Sequence, residues 1–340
     1  MNLIQFPHSI QNQVIEHSLY PSSTPNYDGM LQVSSIHNLY YAVYGNPEGI
    51  PVVVLHGGPG AGCYDAMTRF FDLNKYLVVM FDQRGAMRST PLASMEENNP
   101  QRLVEDIESI RKHLDIEQWI IFGGSWGSTL GLLYGQAHPE RCLGFVLRGI
   151  FLARQFDDAH LVYGMGKTFP EAYREFLDHL PADERDDLKQ AYYQRIMNPD
   201  PAVHLPAARA FMKFDLICST QFPDPIFVEN QLKNDRAVLA ITRTFFHYAI
   251  HNFFLEPNQV IANMPKISHL PAILVHGRWD VITLPEMAYL LHQNWVNSML
   301  WMVPMGGHST TEPAIAMALA TALDQFARQL NHASVNKKSR

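Results

Sequence analysis

The residue best placed to do chemistry is the serine in Gly123-Gly124-Ser125-Trp126-Gly127. This G-x-S-x-G pattern follows the apolar run Trp119-Ile120-Ile121-Phe122 and leads into Ser128-Thr129-Leu130-Gly131-Leu132-Leu133-Tyr134, which reads as a helix. A strand, a sharp turn carrying a serine and a helix make a nucleophile elbow. The small residues let strand and helix backbones approach closely, so the serine can adopt dihedral angles that a looser turn would not need. Its hydroxyl then stands clear near a helix N-terminus, where developing negative charge is favoured. A serine hydroxyl is a weak nucleophile at neutral pH and needs a base that is itself oriented by an acid. An elbow predicts those partners downstream, first Asp or Glu and then His. Asp280 follows the apolar run Ala272-Ile273-Leu274-Val275, in His276-Gly277-Arg278-Trp279-Asp280. His308 follows Ser298-Met299-Leu300-Trp301-Met302-Val303, in Pro304-Met305-Gly306-Gly307-His308. Both fall in loops after strands, where the active sites of open α/β sheets gather. The expected roles are Ser125 as nucleophile, His308 as general base and then acid, and Asp280 as the carboxylate that orients the imidazolium.

An oxyanion needs donors as well. One is expected to be the backbone N–H of Trp126, the residue after the nucleophile. The other is expected from His56-Gly57-Gly58-Pro59-Gly60-Ala61-Gly62, with Gly58 the first choice and Gly57 the alternative.

The elements that must position these groups are legible as periodicity. Leu31 to Tyr44 is β-rich and reads as an opening antiparallel pair. Continuous apolar runs at Pro51–Leu55, Tyr76–Phe81, Trp119–Phe122, Phe145–Leu147, Ala272–Val275 and Ser298–Val303 suit strands buried on both faces. Between them, Pro100–Leu114 and Pro313–Leu330 carry apolar residues at helical spacing, the second with a proline in its first turn. The alternation implies a mainly parallel sheet flanked by helices. Residues 153–265 break it, with helical, aromatic- and Met-rich sequence and no strong strand run. They are expected to form an inserted helical cap over a core made of 1–152 and 266–340.

Other residues invite a blander reading. His56, His138, His247 and His276 are expected to be structural hydrogen-bonding residues rather than bases. Asp82, in Phe81-Asp82-Gln83-Arg84-Gly85, also follows a strand, and its neighbour Arg84 suggests a structural ion pair. Cys63, beside the glycine-rich loop, reads as a small packing residue, with sensitivity to thiol reagents as the alternative.

Composition excludes several classes. The 340 residues carry a formal net charge of −7, so nothing draws the chain generally to nucleic acid or anionic membrane. Apolar residues are 47% and charged ones 17%, the balance of a globular protein, so disorder is expected only at the ends. The tail Lys337-Lys338-Ser339-Arg340 is expected to be a frayed, solvated end. Met1 to Tyr20 lacks a basic stretch followed by an apolar core, and no run reaches transmembrane length. Three widely spaced cysteines fit a reducing compartment, so a cytoplasmic location is expected. No His or Cys spacing suggests a metal, and no glycine-rich dinucleotide fingerprint suggests a cofactor.

Taken together, several segments resemble the proline iminopeptidases, a branch of the α/β-hydrolase superfamily. They are His56-Gly57-Gly58-Pro59-Gly60, Asp82-Gln83-Arg84-Gly85, Gly123 to Leu130, Leu147-Arg148-Gly149-Ile150-Phe151 and Val275 to Asp280. The resemblance covers the sheet region well and the cap weakly. It implies an α/β-hydrolase core with a helical cap, and cofactor-free release of N-terminal proline from small peptides, with Phe151 lining the proline-ring pocket. In that family, acidic residues of the cap hold the free ammonium. The stretch Phe214-Asp215 matches one acid position and keeps the charge on a shorter stem. The other falls in Arg243-Thr244-Phe245-Phe246-His247-Tyr248-Ala249, where the glutamate is replaced by Phe245 and a final aromatic by Ala249. Ala86-Met87 also departs from the small residue and glycine that usually follow Arg-Gly. Two carboxylates hold a desolvated ammonium better than one, so the demand for a free amine is expected to weaken. The residues therefore leave open an ester or amide hydrolase of the same fold.

Overall fold

A computed structural model of the chain describes residues 19–338, with residues 331–338 described only as backbone. The N-terminal residues 1–18, and Ser339 and Arg340 of the basic tail, lie outside the described residues. Each long apolar run of the sequence is a strand. Strands β1 (Tyr27–Gln32), β2 (Asn38–Gly45), β3 (Ile50–Leu55), β4 (Tyr76–Phe81), β5 (Trp119–Ser125), β6 (Cys142–Ile150), β7 (Ala272–Gly277) and β8 (Ser298–Val303) form one sheet. Their order is β1-β2-β4-β3-β5-β6-β7-β8. Strands β1 and β2 are antiparallel, as the β-rich opening segment suggested, and β2 also runs antiparallel to β4. From β4 to β8 every pairing is parallel. Both faces of the parallel strands are buried, with Val53, Ile121 and Leu274 packing on one side and Val54, Ile120 and Ile273 on the other. This is why these strands read as continuous apolar runs rather than as alternation.

The covering helices start and stop where local chemistry requires. Helix α1 (Pro100–His113) begins with proline at its first position, and the Asn99 side chain accepts the Arg102 N–H. These are a favourable first-turn residue and a favourable N-cap. Helix α2 (Trp126–Ala137) follows β5 directly. The chain between β6 and β7 contains helices and no strand, with α3 (Pro170–Asp178), α4 (Leu188–Ile196), α5 (Pro201–Cys218), α6 (Pro225–Leu232) and α7 (Asp235–Ile250) among its elements. Its interior is aromatic. Phe176 stacks on Tyr192 and on Phe214, with ring centroids 4.3 and 5.0 Å apart, and Phe211 stacks on Phe245 at 4.7 Å. Helices α8 (Pro285–Gln293) and α9 (Pro313–Lys338) complete the layers.

The parallel arrangement brings the ends of β3, β5, β6, β7 and β8 to one edge of the sheet. The loop 56–62, Ser125, Phe151, Asp280 and His308 all follow from those ends. Contact between layers is tightest at Gly127, where an added Cβ would collide with the Leu55 carbonyl. Overpacking of this kind costs about 1–3 kcal/mol, so Gly127→Ala is expected to lower the unfolding free energy by an amount in that range, read as a lowered midpoint in urea. An unchanged midpoint would show that β3 and α2 can move apart freely.

Candidate active site

Ser125 closes β5 and precedes α2, with φ 58° and ψ −127°. A non-glycine residue at such angles is strained and persists only where its surroundings hold it. Four contacts do so. The Ser128 hydroxyl donates to the Ser125 carbonyl at 2.7 Å and accepts the Phe151 N–H at 3.1 Å. The Thr129 hydroxyl donates to the Phe151 carbonyl at 2.7 Å. Gly57 lies against the serine, so that a Cβ there would sit 3.2 Å from Ser125 Cβ.

Asp280 and His308 meet as the strand order demands. The His308 Nδ1–H donates to Asp280 Oδ2 at 2.8 Å. The Thr283 hydroxyl donates to the same oxygen at 2.8 Å, while the Ile282 and Thr283 N–H groups donate to Oδ1 at 3.0 and 2.9 Å. Burial works to raise the Asp280 carboxyl, but the charge and hydrogen bond of His308, with His276 and the Thr283 N–H, overturn it and hold the group at about 2. The carboxylate therefore stays ionised at neutral pH. Ser125 and His308 line one cavity of about 280 Å³, and no hydrogen bond joins them among the described residues.

The glycine-rich loop forms another wall, with Gly57 and Gly58 facing the same cavity. The Gly57 carbonyl accepts from His56 Nδ1–H at 2.9 Å and from the Ala61 N–H at 3.2 Å. In a trans peptide the C=O and N–H point opposite ways, so the Gly58 N–H is turned away from those partners. Gln83 fastens this loop to the elbow. Its amide donates to the His56 carbonyl and accepts from the Trp126 indole, both at 2.9 Å.

Phe151, Leu161, Met212, Phe245 and Phe253 give the cavity an apolar wall, and Phe151 meets Phe253 edge to face at 5.0 Å. Asp215, on the last turn of α5, also lines it. No hydrogen bond or ion pair engages its carboxylate among the described residues, and burial pushes the group up to about 6 against the opposing charge of His308. Phe245, at the position expected to have lost an acid, is buried and stacked on Phe211. Ala249 is buried and lies outside the cavity lining.

Several structural readings need adjustment. Asp82 is a structural anion, but its partner is Arg88 rather than Arg84. Arg88 Nε donates to Asp82 Oδ2 at 2.7 Å, and Asp82 Oδ1 accepts the Cys63 N–H at 2.7 Å. Arg84 turns instead to Asp106 in a bidentate buried pair at 2.7 and 2.8 Å. Met87, where the resemblance calls for glycine, has φ 30°, a value that favours glycine. His56 and His276 brace loops: His56 Nε2 accepts the Gln83 N–H at 2.9 Å, and His276 Nδ1 accepts the Ile150 N–H at 3.0 Å. His247 donates to the Asn98 carbonyl at 2.9 Å. His138, half-buried, packs its ring against Tyr134 at the end of α2. Two residues have contacts to the site that no local pattern assigned. Thr283 reaches the acid only through a loop turn, and Arg148 lies within a strand, yet its Nη1 donates to the His308 carbonyl at 2.7 Å.

The clamp between the helical insert and the His308 loop was equally invisible in sequence. The Ser309 N–H donates to the Ser219 carbonyl at 2.9 Å. The Glu312 carboxylate accepts the Gln221 N–H at 2.8 Å and also the Gly307 N–H.

Residues 50–312 match the family model described as alpha/beta hydrolase fold. A proline iminopeptidase of Xylella fastidiosa is 42% identical over 311 residues, spanning 91% of this chain and 99% of the relative. A proline iminopeptidase of Arabidopsis thaliana is 41% identical over 325 residues, spanning 94% of this chain and 85% of the relative. Among solved structures, the proline iminopeptidase of Mycobacterium smegmatis superposes with a TM-score of 0.58 at 22% identity, covering 89% of this chain and all of that one, a likeness of fold.

Cys63, Cys142 and Cys218 are free and buried, and burial, the leading cause for each, pushes all three thiols up. Thiolate is the reactive form, so the sensitivity considered for Cys63 is not expected. Native protein should resist iodoacetamide at neutral pH and gain three carbamidomethyl groups only on denaturation, as read by intact mass. Rapid labelling of folded protein would contradict this.

Proposed function

The chain belongs to the α/β-hydrolase family and, within it, to the proline iminopeptidases, and from that membership we propose that Ser125, His308 and Asp280 act as a triad that releases N-terminal proline from small peptides. The observation that carries the reading is the buried Asp280–His308 hydrogen bond, with His308 and Ser125 lining one cavity. The substrate carbonyl enters between Ser125 and the N–H groups of Gly58 and Trp126. His308 takes the hydroxyl proton as the Ser125 oxygen attacks, and gives it to the departing amine as the C–N bond breaks. Water, deprotonated by the same imidazole, then releases proline from the acyl-enzyme. Bonds to each oxyanion donor strengthen as charge develops, about 3–4 kcal/mol per donor. The hydrogen bond between Ser125 and His308 forms as substrate closes the site, since such bonds are often long in free enzymes.

Phe151 with Phe253 receives the pyrrolidine ring, and Asp215 receives its ammonium. The helices of 153–265 act as the cap, and 1–152 with 266–340 as the catalytic core. Three buried free thiols support a cytoplasmic location, and no helix among the described residues is long and apolar enough to cross a membrane. Neither a metal nor an organic cofactor has a role in these steps. A second reading, ester or amide hydrolysis without a free amine, draws on Phe245, which puts an aromatic ring where the family resemblance calls for a carboxylate.

Ser125→Ala and His308→Ala are each expected to cut kcat on a prolyl arylamide by roughly 10⁴–10⁶-fold while circular dichroism stays unchanged. A fluorophosphonate probe should label the wild type and not Ser125→Ala, and near-normal turnover in either variant would refute the assignment. Asp215 holds its charge above about pH 6 and loses it below. KM for the prolyl arylamide should therefore rise as pH falls through that value. Asp215→Asn should show a raised KM with that dependence gone. A KM limb that survives in the variant would place ammonium binding elsewhere.

A further inference from the structure

Two side chains in the cavity besides the histidine are formally charged, and they have opposite signs. Asp215 comes from the helical insert and Arg148 from β6. They do not pair with one another. The charge acting on Asp215 is that of His308, and the charges acting on Arg148 are those of Asp280 and Tyr64. Arg148 is held close to the nucleophile, because its side chain crosses Gly124 so tightly that a Cβ there would lie 2.8 Å from Cζ. Of its five N–H donors, one bond is made among the described residues, from Nη1 to the His308 carbonyl. Asp280 cannot serve as its partner, since both of its oxygens are taken by His308, Thr283 and Ile282. Arg148 is partly buried and faces the cavity without an anion paired to it among the described residues, and a carboxylate bound by two of its N–H groups satisfies such a guanidinium best.

We propose that this pair of separated charges recognises a zwitterion, a free prolyl dipeptide whose ammonium lies at Asp215 and whose C-terminal carboxylate pairs with Arg148. The inference rests on the peptidase reading above and adds the length and end-group of the substrate. Two extended residues span about 7 Å, with the scissile carbonyl between the end charges. Ser125 accordingly works between a site for the positive end and a site for the negative end. A longer peptide carries its carboxylate past Arg148, and an amidated one has none. The single carboxylate also keeps the cavity near neutrality, which suits a ligand without net charge.

The experiment compares kcat/KM for Pro-Ala, Pro-Ala-NH2, Pro-Ala-Ala and a prolyl arylamide on the full-length protein. Pro-Ala is expected to exceed both its amide and the tripeptide by about tenfold, chiefly through KM. Arg148→Gln should lower every rate, because it releases the His308 carbonyl, and should also bring the acid-to-amide ratio to about one. Arg148→Lys should keep part of the ratio. Equal rates for Pro-Ala and Pro-Ala-NH2 in the wild type, with the arylamide still cleaved, would overturn the dipeptide proposal and leave the peptidase reading intact. Inert peptides and an inert arylamide would overturn both. The wild-type comparison decides the matter even if Arg148→Gln does not fold.

Discussion

The close approach of β3, β5 and α2 at Ser125 sets the geometry on which the rest depends. The serine can hold φ 58° because α2 starts hard against β3, at a point where Gly127 leaves no room for a side chain. The hydroxyls of Ser128 and Thr129 then tie the turn to the end of β6, so the strained residue is braced from two strands at once. Gln83 fastens the glycine-rich loop to the Trp126 indole and brings the third neighbour into register. The strain is local, and the packing of three elements offsets it.

The second constraint is electrostatic. Asp280 is buried, yet it stays ionised because a histidine, a hydroxyl and two backbone N–H groups point at it. Burial dominates instead at Asp215, where no donor among the described residues engages the carboxylate and the group is pushed toward neutrality. These two carboxylates differ in their environment rather than in their chemistry. The first is suited to stabilise an imidazolium, and the second to wait for a cation brought by a ligand. The helical insert carrying Asp215 is joined to the His308 loop through Ser219, Gln221 and Glu312, so the ligand-facing wall and the imidazole belong to one hydrogen-bonded unit.

Departures from the family pattern acquire physical content in this setting. Phe245, where the resemblance calls for an acid, stacks on Phe211 and so belongs to the aromatic packing of the insert. Met87 keeps a backbone angle that favours glycine, and packs against Gly62 beside the Asp82–Arg88 pair. Arg88 was not legible as the partner of Asp82, because Arg84 is nearer in sequence. The turn after Gln83 presents Arg88 to both carboxylate oxygens, while Arg84 reaches Asp106 on α1.

Alone, the sequence determined what depends on local pattern. Apolar runs of strand length marked the parallel strands, helical spacing marked α1 and α9, and small residues around Ser125 marked a tight turn. The order Ser125, Asp280, His308 also named the residues that the sheet gathers at one edge. Tertiary structure decided what depends on distance across the fold: the hydrogen bond between Asp280 and His308, the choice of Arg88 over Arg84, the bracing by Thr283, the clamp at Glu312 and the placement of Arg148 beneath the histidine loop. Periodicity reports which face of an element is buried. A contact between side chains remote in sequence is set by how strands are ordered and how far loops reach, and neither quantity is written in the spacing of neighbouring residues.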